Sequence, residues 1–278
     1  MDYGRPVTFG LFVNPIALAE HSLAVAALAD ELGFDLLGLQ DHPYQSRFLD
    51  AWTLLTALAM RTRRIQVFLD VANVPLRPPA ILAKAAASLD LLTSGRVELG
   101  LGAGGSFEAI KAIGGPMRTR GESVEALEEA IQVIRLMWSG QRGVRFDGKY
   151  YQLAGVHAGP PPAHRIGIWL GAYKPRMLSL VGRAADGWVP SLGYAQPADL
   201  LDGNMRIDEA AVAAGRDPKA IRRILNTGAD VPVELFTSLS VEHGMDTFVV
   251  GGLEEPEALR WFSSDIIPAV REAVAEAR

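Results

Sequence analysis

The chain has 278 residues, of which 49% are hydrophobic and 21% charged, with no cysteine and a formal charge of −5. Length and composition suit a globular protein with a sizeable core, built as one large barrel or two small domains. The absence of cysteine excludes disulfides, a thiolate nucleophile and thiolate zinc sites, and the negative charge argues against nucleic acid or an anionic membrane as the main partner.

The first residues, MDYGRPVTFG, lack the basic-then-apolar pattern of a secretory leader. No stretch approaches the ~20 uninterrupted apolar residues of a membrane span, so a cytoplasmic protein is expected. Residues 7–13 read as a buried strand that ends in the loop signal Asn14-Pro15. Residues 17–32 form an amphipathic helix closed by Gly33, and 36–40 form the next strand, followed by Asp41-His42-Pro43. A helix is expected over 50–61, capped by Asp50. The strand 67–72 is interrupted only by Asp70, and a proline-rich loop over 73–79 follows it. Ile81, Leu82, Ala85, Leu89 and Leu92 give residues 80–92 one apolar helical stripe, which Thr93-Ser94-Gly95 ends. Val97, Leu99 and Leu101 mark a fourth strand running into Gly102, Ala103, Gly104 and Gly105. Strand, crossover helix and strand in so short a span make a parallel unit. Residues 106–119 read as a long irregular loop, and 121–137 as a long helix.

Residues 138–165 break this rhythm. Two short strands flank Asp147-Gly148, a strong hairpin signal, and Gly159-Pro160-Pro161-Pro162 makes a stiff turn, so an insertion is expected over about 139–165. Strands at 166–170, 187–190, 221–226 and 247–250 alternate with helices at 175–184, 197–214 and 232–243, and one final helix covers 256–277. Eight strands alternating with eight helices predict one TIM-type (β/α)₈ barrel over 1–278, with its hairpin-containing insertion after the fourth helix. An open doubly wound sheet is the alternative. It is disfavoured because its Gly-x-Gly-x-x-Gly turn would follow the first strand, where Asn14-Pro15 stands.

Parallel barrels bind ligands at the carboxyl ends of their strands, and several residues fall there. His42 follows the second strand, where an imidazole exchanges protons near neutral pH or contacts an electron-rich ring. Asp41 beside it either orients the imidazole or packs toward the helices, since neighbouring strand residues face opposite ways. The glycines at 102–105 permit close approach of backbone amides to a ligand, although plain turns use the same residues. The run Gly171-Ala172-Tyr173-Lys174-Pro175-Arg176 ends a strand and starts a helix at Pro175; free amides beside Lys174 and Arg176 suit a phosphate. The five histidines show no ligand spacing, so no metal site is expected, and Gly-x-Ser-x-Gly is absent. An organic cofactor with a phosphate handle fits what remains.

The chain resembles the luciferase-like flavin-dependent oxidoreductases, especially the branch using the deazaflavin coenzyme F420. The matching residues are Asp41-His42, Phe48-Leu49-Asp50-Ala51-Trp52, Pro75-Leu76-Arg77-Pro78-Pro79, Leu89-Asp90, Gly95-Arg96, Arg120-Gly121-Glu122, Ala185-Asp186-Gly187-Trp188 and Asp246-Thr247-Phe248-Val249-Val250-Gly251-Gly252. The resemblance implies a (β/α)₈ barrel with an insertion, and a homodimer. It implies F420 as cofactor, with FMN as the alternative, and hydride transfer to or from a small organic substrate, with the histidine matched by His42 near the reactive carbon. An FMN-dependent monooxygenase fed by a separate reductase is the second reading, and a non-catalytic flavin-binding protein a third. A bulge after the third strand, often with a non-proline cis bond, would support the ring from Asp70 and Val71, with Asn73 beside it. The phosphate would lie between Gly102, Ala103, Gly104 and the turn at Gly171, Ala172, Tyr173 and Lys174. Phe12, Tyr44, Trp169 and Trp188 would wall the substrate, with the segments 106–119 and 144–165 covering the cleft. Sugar-phosphate dehydrogenases of this branch carry a glutamate just after the glycine loop; Gly105 stands there, which argues against that substrate.

Overall fold

Apolar runs become strands here because both of their faces are covered. In the structure, a computed structural model describing residues 1–278, the strands are β1 (Thr8–Val13), β2 (Leu36–Leu39), β3 (Gln66–Leu69), β4 (Ala72–Asn73), β5 (Leu99–Gly102), β6 (Val144–Asp147), β7 (Gln152–Val156), β8 (Ile168–Leu170), β9 (Gly187–Trp188), β10 (Arg222–Gly228) and β11 (Thr247–Gly251). The parallel order is β3-β2-β1-β11-β10-β9-β8-β5-β4, and β3 and β4 are the two halves of one interrupted third strand. A parallel bridge from Val67 in β3 to Val97, just before β5, joins the ends of that order, closing an eight-stranded barrel.

Helices wrap the barrel: α1 (Ala19–Leu32), α2 (Ala51–Arg61), α3 (Pro79–Leu92), α4 (Phe107–Ala112), α5 (Arg120–Trp138), α6 (Pro175–Ala184), α7 (Pro197–Ala213), α8 (Val233–Val241), α9 (Pro256–Trp261) and α10 (Ile267–Ala277). None is long and apolar enough to cross a membrane. Asp50 caps α2 by accepting from the Thr53 amide at 2.9 Å, and Thr119 with Glu122 forms a capping box on α5.

Strand alternation sorts the core into two parts. Residues such as Phe9, Leu11, Leu37, Leu99 and Val250 face the helices, while Leu36, Phe68, Trp169, Val189, Ile224 and Val249 fill the lumen, with Phe12 and Val71 packed on them. Large rings in the lumen require glycine opposite them: a Cβ on Gly187 would lie 2.5 Å from Cδ1 of Trp169. The base of the lumen, at the strand starts, is polar. Arg222 donates to Thr247 Oγ1 and Thr8 Oγ1, both at 2.9 Å, with its guanidinium 5.5 Å from the Trp169 ring, and Glu98 accepts from the Gly167 amide at 2.6 Å.

Four sequence expectations need correction. The third strand is split between Asp70 and Val71, whose peptide bond is cis. The loop expected over 106–119 contains α4. The final helix is interrupted by a wide turn over Phe262–Ile266, because Pro268 has no N–H to continue the ladder. The hairpin β6–β7 does not cover the cleft. It packs on α5 through Val133, Val144 and Leu153, and the Glu129 carboxylate accepts the backbone amides of Lys149, Tyr150 and Tyr151.

Candidate active site

His42 continues the line of β2 past its end at Leu39 and is half-buried at the mouth. Its ring stacks on Tyr44 with centroids 5.3 Å apart, and the Tyr44 hydroxyl donates to Ser106 Oγ at 3.2 Å, tying the loop after β2 to the loop after β5. Burial lowers the pKa of His42 against the opposing pull of Asp41, so its imidazole is mainly neutral at pH 7. Asp41 itself turns the other way. Its carboxylate takes the Asn73 amide at 2.9 Å and both arms of Arg77 at 2.7 and 2.8 Å, and Arg77 reaches Asp50 at 2.7 Å as well. The cofactor contact expected of Asp41 is therefore corrected to a clamp, in which opposite strand parity sends residue 41 outward and residue 42 inward.

The floor of the mouth is Val71 flanked by glycines. A Cβ on Gly102 would lie 2.8 Å from Val71 Cγ2, and one on Gly171 would lie 3.3 Å from the same atom, so these strand ends stay bare where Val71 comes through. Asp70 also faces the lumen. Its Oδ1 accepts from Asn226 Nδ2 at 3.2 Å, and that amide also lies 3.3 Å from Ser191 Oγ. Asp70 Oδ2, Asn73 Oδ1 and Asn226 Oδ1 are buried without any partner. Such orphaned oxygens cost free energy in an empty site and gain it back from a ligand with complementary groups. Burial, only partly offset by the Asn226 donation, pushes the Asp70 carboxyl up to about 7.

Across the mouth, α6 begins at Pro175 with no side-chain cap, leaving first-turn amides open. Arg176, expected to join an anion site there, pairs instead with Glu125 at 3.1 Å, which leaves the exposed Lys174 as the cation at this turn. Tyr173 accepts the Ser191 amide at 3.0 Å and meets Tyr194 edge to face at 6.0 Å. Gly104 has φ +84°, and Pro75 and Ile110 press against it, fixing the Gly102-Ala103-Gly104 turn beside β4.

Two tryptophans leave the list of substrate contacts. Trp169 lies inside the barrel, buried against Phe68 at 4.9 Å and with the Arg222 guanidinium 5.5 Å from its ring, below the mouth. Trp188 points outward, donates to the Ala172 carbonyl at 2.8 Å and packs on Gly203 of α7. In strands as short as β8 and β9, parity decides such placements, and a two-residue pattern does not reveal it. Phe12 and Tyr44 stay at the mouth. Sequence reasoning passed over Arg77 as a clamp, and Asn226 and Ser191 as partners at the floor; Asn226 alone carried a signal, a polar residue ending an apolar strand. No three His, Cys, Asp or Glu side chains are placed to hold a metal ion.

A flat, partly polar molecule with an anionic tail fits this arrangement: an apolar patch, three orphaned oxygens, an imidazole at one side and an uncapped helix start at the other. Residues 12–229 match the family model for luciferase-like monooxygenases. The chain is 30% identical to the 5,10-methylenetetrahydromethanopterin reductase of Archaeoglobus fulgidus, over 90% of this chain and 72% of that protein. It is 32% identical to the F420-dependent glucose-6-phosphate dehydrogenase of Gordonia bronchialis, over 72% of this chain and only 61% of that protein. Among solved structures, an F420-dependent secondary alcohol dehydrogenase in complex with an F420-acetone adduct superposes with a TM-score of 0.83 at 20% identity, covering 95% of this chain and 99% of that one. With the barrel, its interrupted third strand and these matches together, the chain belongs to the luciferase-like monooxygenase family.

Proposed function

We propose that this chain is an oxidoreductase that binds coenzyme F420 at the barrel mouth and moves hydride between it and a small organic substrate. The carrying observation is the gathering on one rim of His42, the orphaned oxygens of Asp70, Asn73 and Asn226, and the uncapped start of α6. F420 is favoured over FMN because the dehydrogenases among the relatives at 30% identity or more are F420-dependent by name. The chain spans about three-fifths of those dehydrogenases, and Gly105 stands where a glutamate is expected, so a sugar phosphate is not carried over as substrate.

The cofactor supplies a two-electron carrier that these side chains lack. Val71 and Phe12 would offer its ring an apolar bed, while Gly102, Ala103, Gly104, the α6 amides and Lys174 would hold its phosphate. Tyr44, fixed through Ser106, sets the plane of His42. With a hydride acceptor bound beside it, the neutral imidazole would accept the proton of a substrate hydroxyl on oxidation, or return it in the reverse direction.

Titration of apo-protein with F420 and with FMN, followed by spectral change, tests this reading. Saturable, tighter binding of F420 supports it, and tighter binding of FMN turns it to the flavin monooxygenase alternative, whose fold neighbours include a riboflavin lyase with modified FMN at TM-score 0.84 and 14% identity. Binding without turnover on any carbonyl or alcohol panel would leave the binding-protein reading. We further propose a homodimer through the α2–α3 face, where Met60, Ile81 and Leu92 are exposed around an apolar groove; light scattering of the wild type and Ile81→Asp checks it.

A further inference from the structure

Asp70 stands where the third strand is interrupted, 7% exposed, at the floor of the mouth. Its surroundings offer little to a charge. From β10 comes one amide donor, Asn226 Nδ2, bound to Oδ1, and from β2 comes Gly38, where a Cβ would lie 3.1 Å from Oδ2. No Lys, Arg or His acts on it, and the one titratable neighbour that senses it is Tyr173, neutral near pH 7. A carboxylate there would hold two acceptor oxygens with a single donor between them. A carboxylic acid keeps Oδ1 as the acceptor for Asn226 and places its proton on Oδ2, the oxygen without a partner. The burial that shifts this carboxyl up to about 7 acts in the same direction.

We propose that Asp70 is a cofactor-binding acid, whose neutral form donates a hydrogen bond from Oδ2 to an acceptor atom of the ring that fills the mouth. The proposal rests on the reading above that a flavin-like ring binds there. It goes beyond support from the backbone at this position, since it assigns the side chain a proton and a direction of donation. Binding then takes up a proton wherever the free protein is ionised at this residue, and affinity falls as the pH rises past neutrality. Asparagine would keep a donor at the same place without ionising; alanine would remove it.

The test is calorimetric titration of the wild type, Asp70→Asn and Asp70→Ala with oxidised F420 and with FMN, from pH 6 to 8.5 in two buffers of different ionisation enthalpy. Running Asp70→Asn alongside subtracts proton exchange by the cofactor itself. Wild type is expected to take up more protons than Asp70→Asn at pH 8, and to lose up to about tenfold more affinity per pH unit above neutrality. Asp70→Ala is expected to bind about fivefold more weakly than wild type at pH 6. Equal proton uptake and equal pH dependence in wild type and Asp70→Asn overturn the proposal. Failure of wild type to bind either cofactor overturns the underlying reading and this inference with it. Should the variants not fold, infrared difference spectra of wild type at pH 7.5 decide: a protonated-carboxyl carbonyl band that grows on cofactor addition supports the assignment, and an unchanged spectrum overturns it.

Discussion

At the base of the barrel, Arg222 donates to Thr8 and Thr247 and lies 3.7 Å from Asp246, while Glu98 holds the Gly167 amide. At the mouth, Asp70, Asn73 and Asn226 share one side-chain hydrogen bond and leave three oxygens bare. Both ends are polar and both are buried, yet at the base the side chains satisfy one another, with His164 Nε2, 3.8 Å from Glu98, as the exception. Polar groups that satisfy one another hold strands together, whereas polar groups held in place without protein partners are left for a ligand or solvent to satisfy.

The difference is open to attack from both ends. Replacing Arg222 by Met removes the donors to Thr8 and Thr247 and the cation beside Asp246, so denaturant melts should show a loss of about 3 kcal/mol. Cofactor affinity of the protein that remains folded should be unchanged; a parallel loss of affinity would erase the distinction.

A subtler probe uses the carboxyl at each end. Burial pushes both Glu98 and Asp70 up to about 7, well above their unfolded values, against the Gly167 amide, His164 and Arg222 in the first case and Asn226 in the second. Between about pH 4 and 7 the folded chain therefore binds more protons than the unfolded one, and stability falls as pH rises through that window before levelling off. Glu98→Gln should remove its share of the slope, on the order of 3 kcal/mol, and leave cofactor binding untouched. Asp70→Asn should flatten stability in the same window and alter binding as well. Thermal melts across pH, for each variant and the pair together, separate the two shares.

His42→Ala should lower turnover roughly 100-fold with an unchanged melting temperature and a small change in cofactor affinity, read from steady-state kinetics beside a titration. Equal turnover would strip His42 of its role. Smallest of all, Ser106→Ala removes an exposed bond to Tyr44 worth about 0.5 kcal/mol, and should appear as a modest rise in KM with no change in stability.

How much of this was legible in advance follows the range of each interaction. The strand and helix alternation, the Asp147-Gly148 hairpin and the Asp50 cap are written in neighbouring residues, and apart from the split third strand the structure places them within about three residues of the expected bounds. Long-range pairings were not legible. Asn226 meets Asp70 across 156 positions, and Arg176 meets Glu125 across 51, so nothing local revealed that one carboxyl has an amide or that one cation is already occupied. Asp41 shows an intermediate case: parity allowed it to point outward, but only Arg77, 36 positions later, fixed its partner. Pro268 was the cue that went unused, since a proline inside a helix cannot continue its ladder.

The Glu129 carboxylate, which gathers three consecutive amides of the inserted ribbon, makes that ribbon a handle rather than a door. It travels with the helix on which it is riveted. The stretch after β5, which Tyr44 touches at Ser106, meets the ribbon through Arg118, whose guanidinium lies over Tyr150 and Tyr151, so the ribbon steadies that side of the entrance from outside.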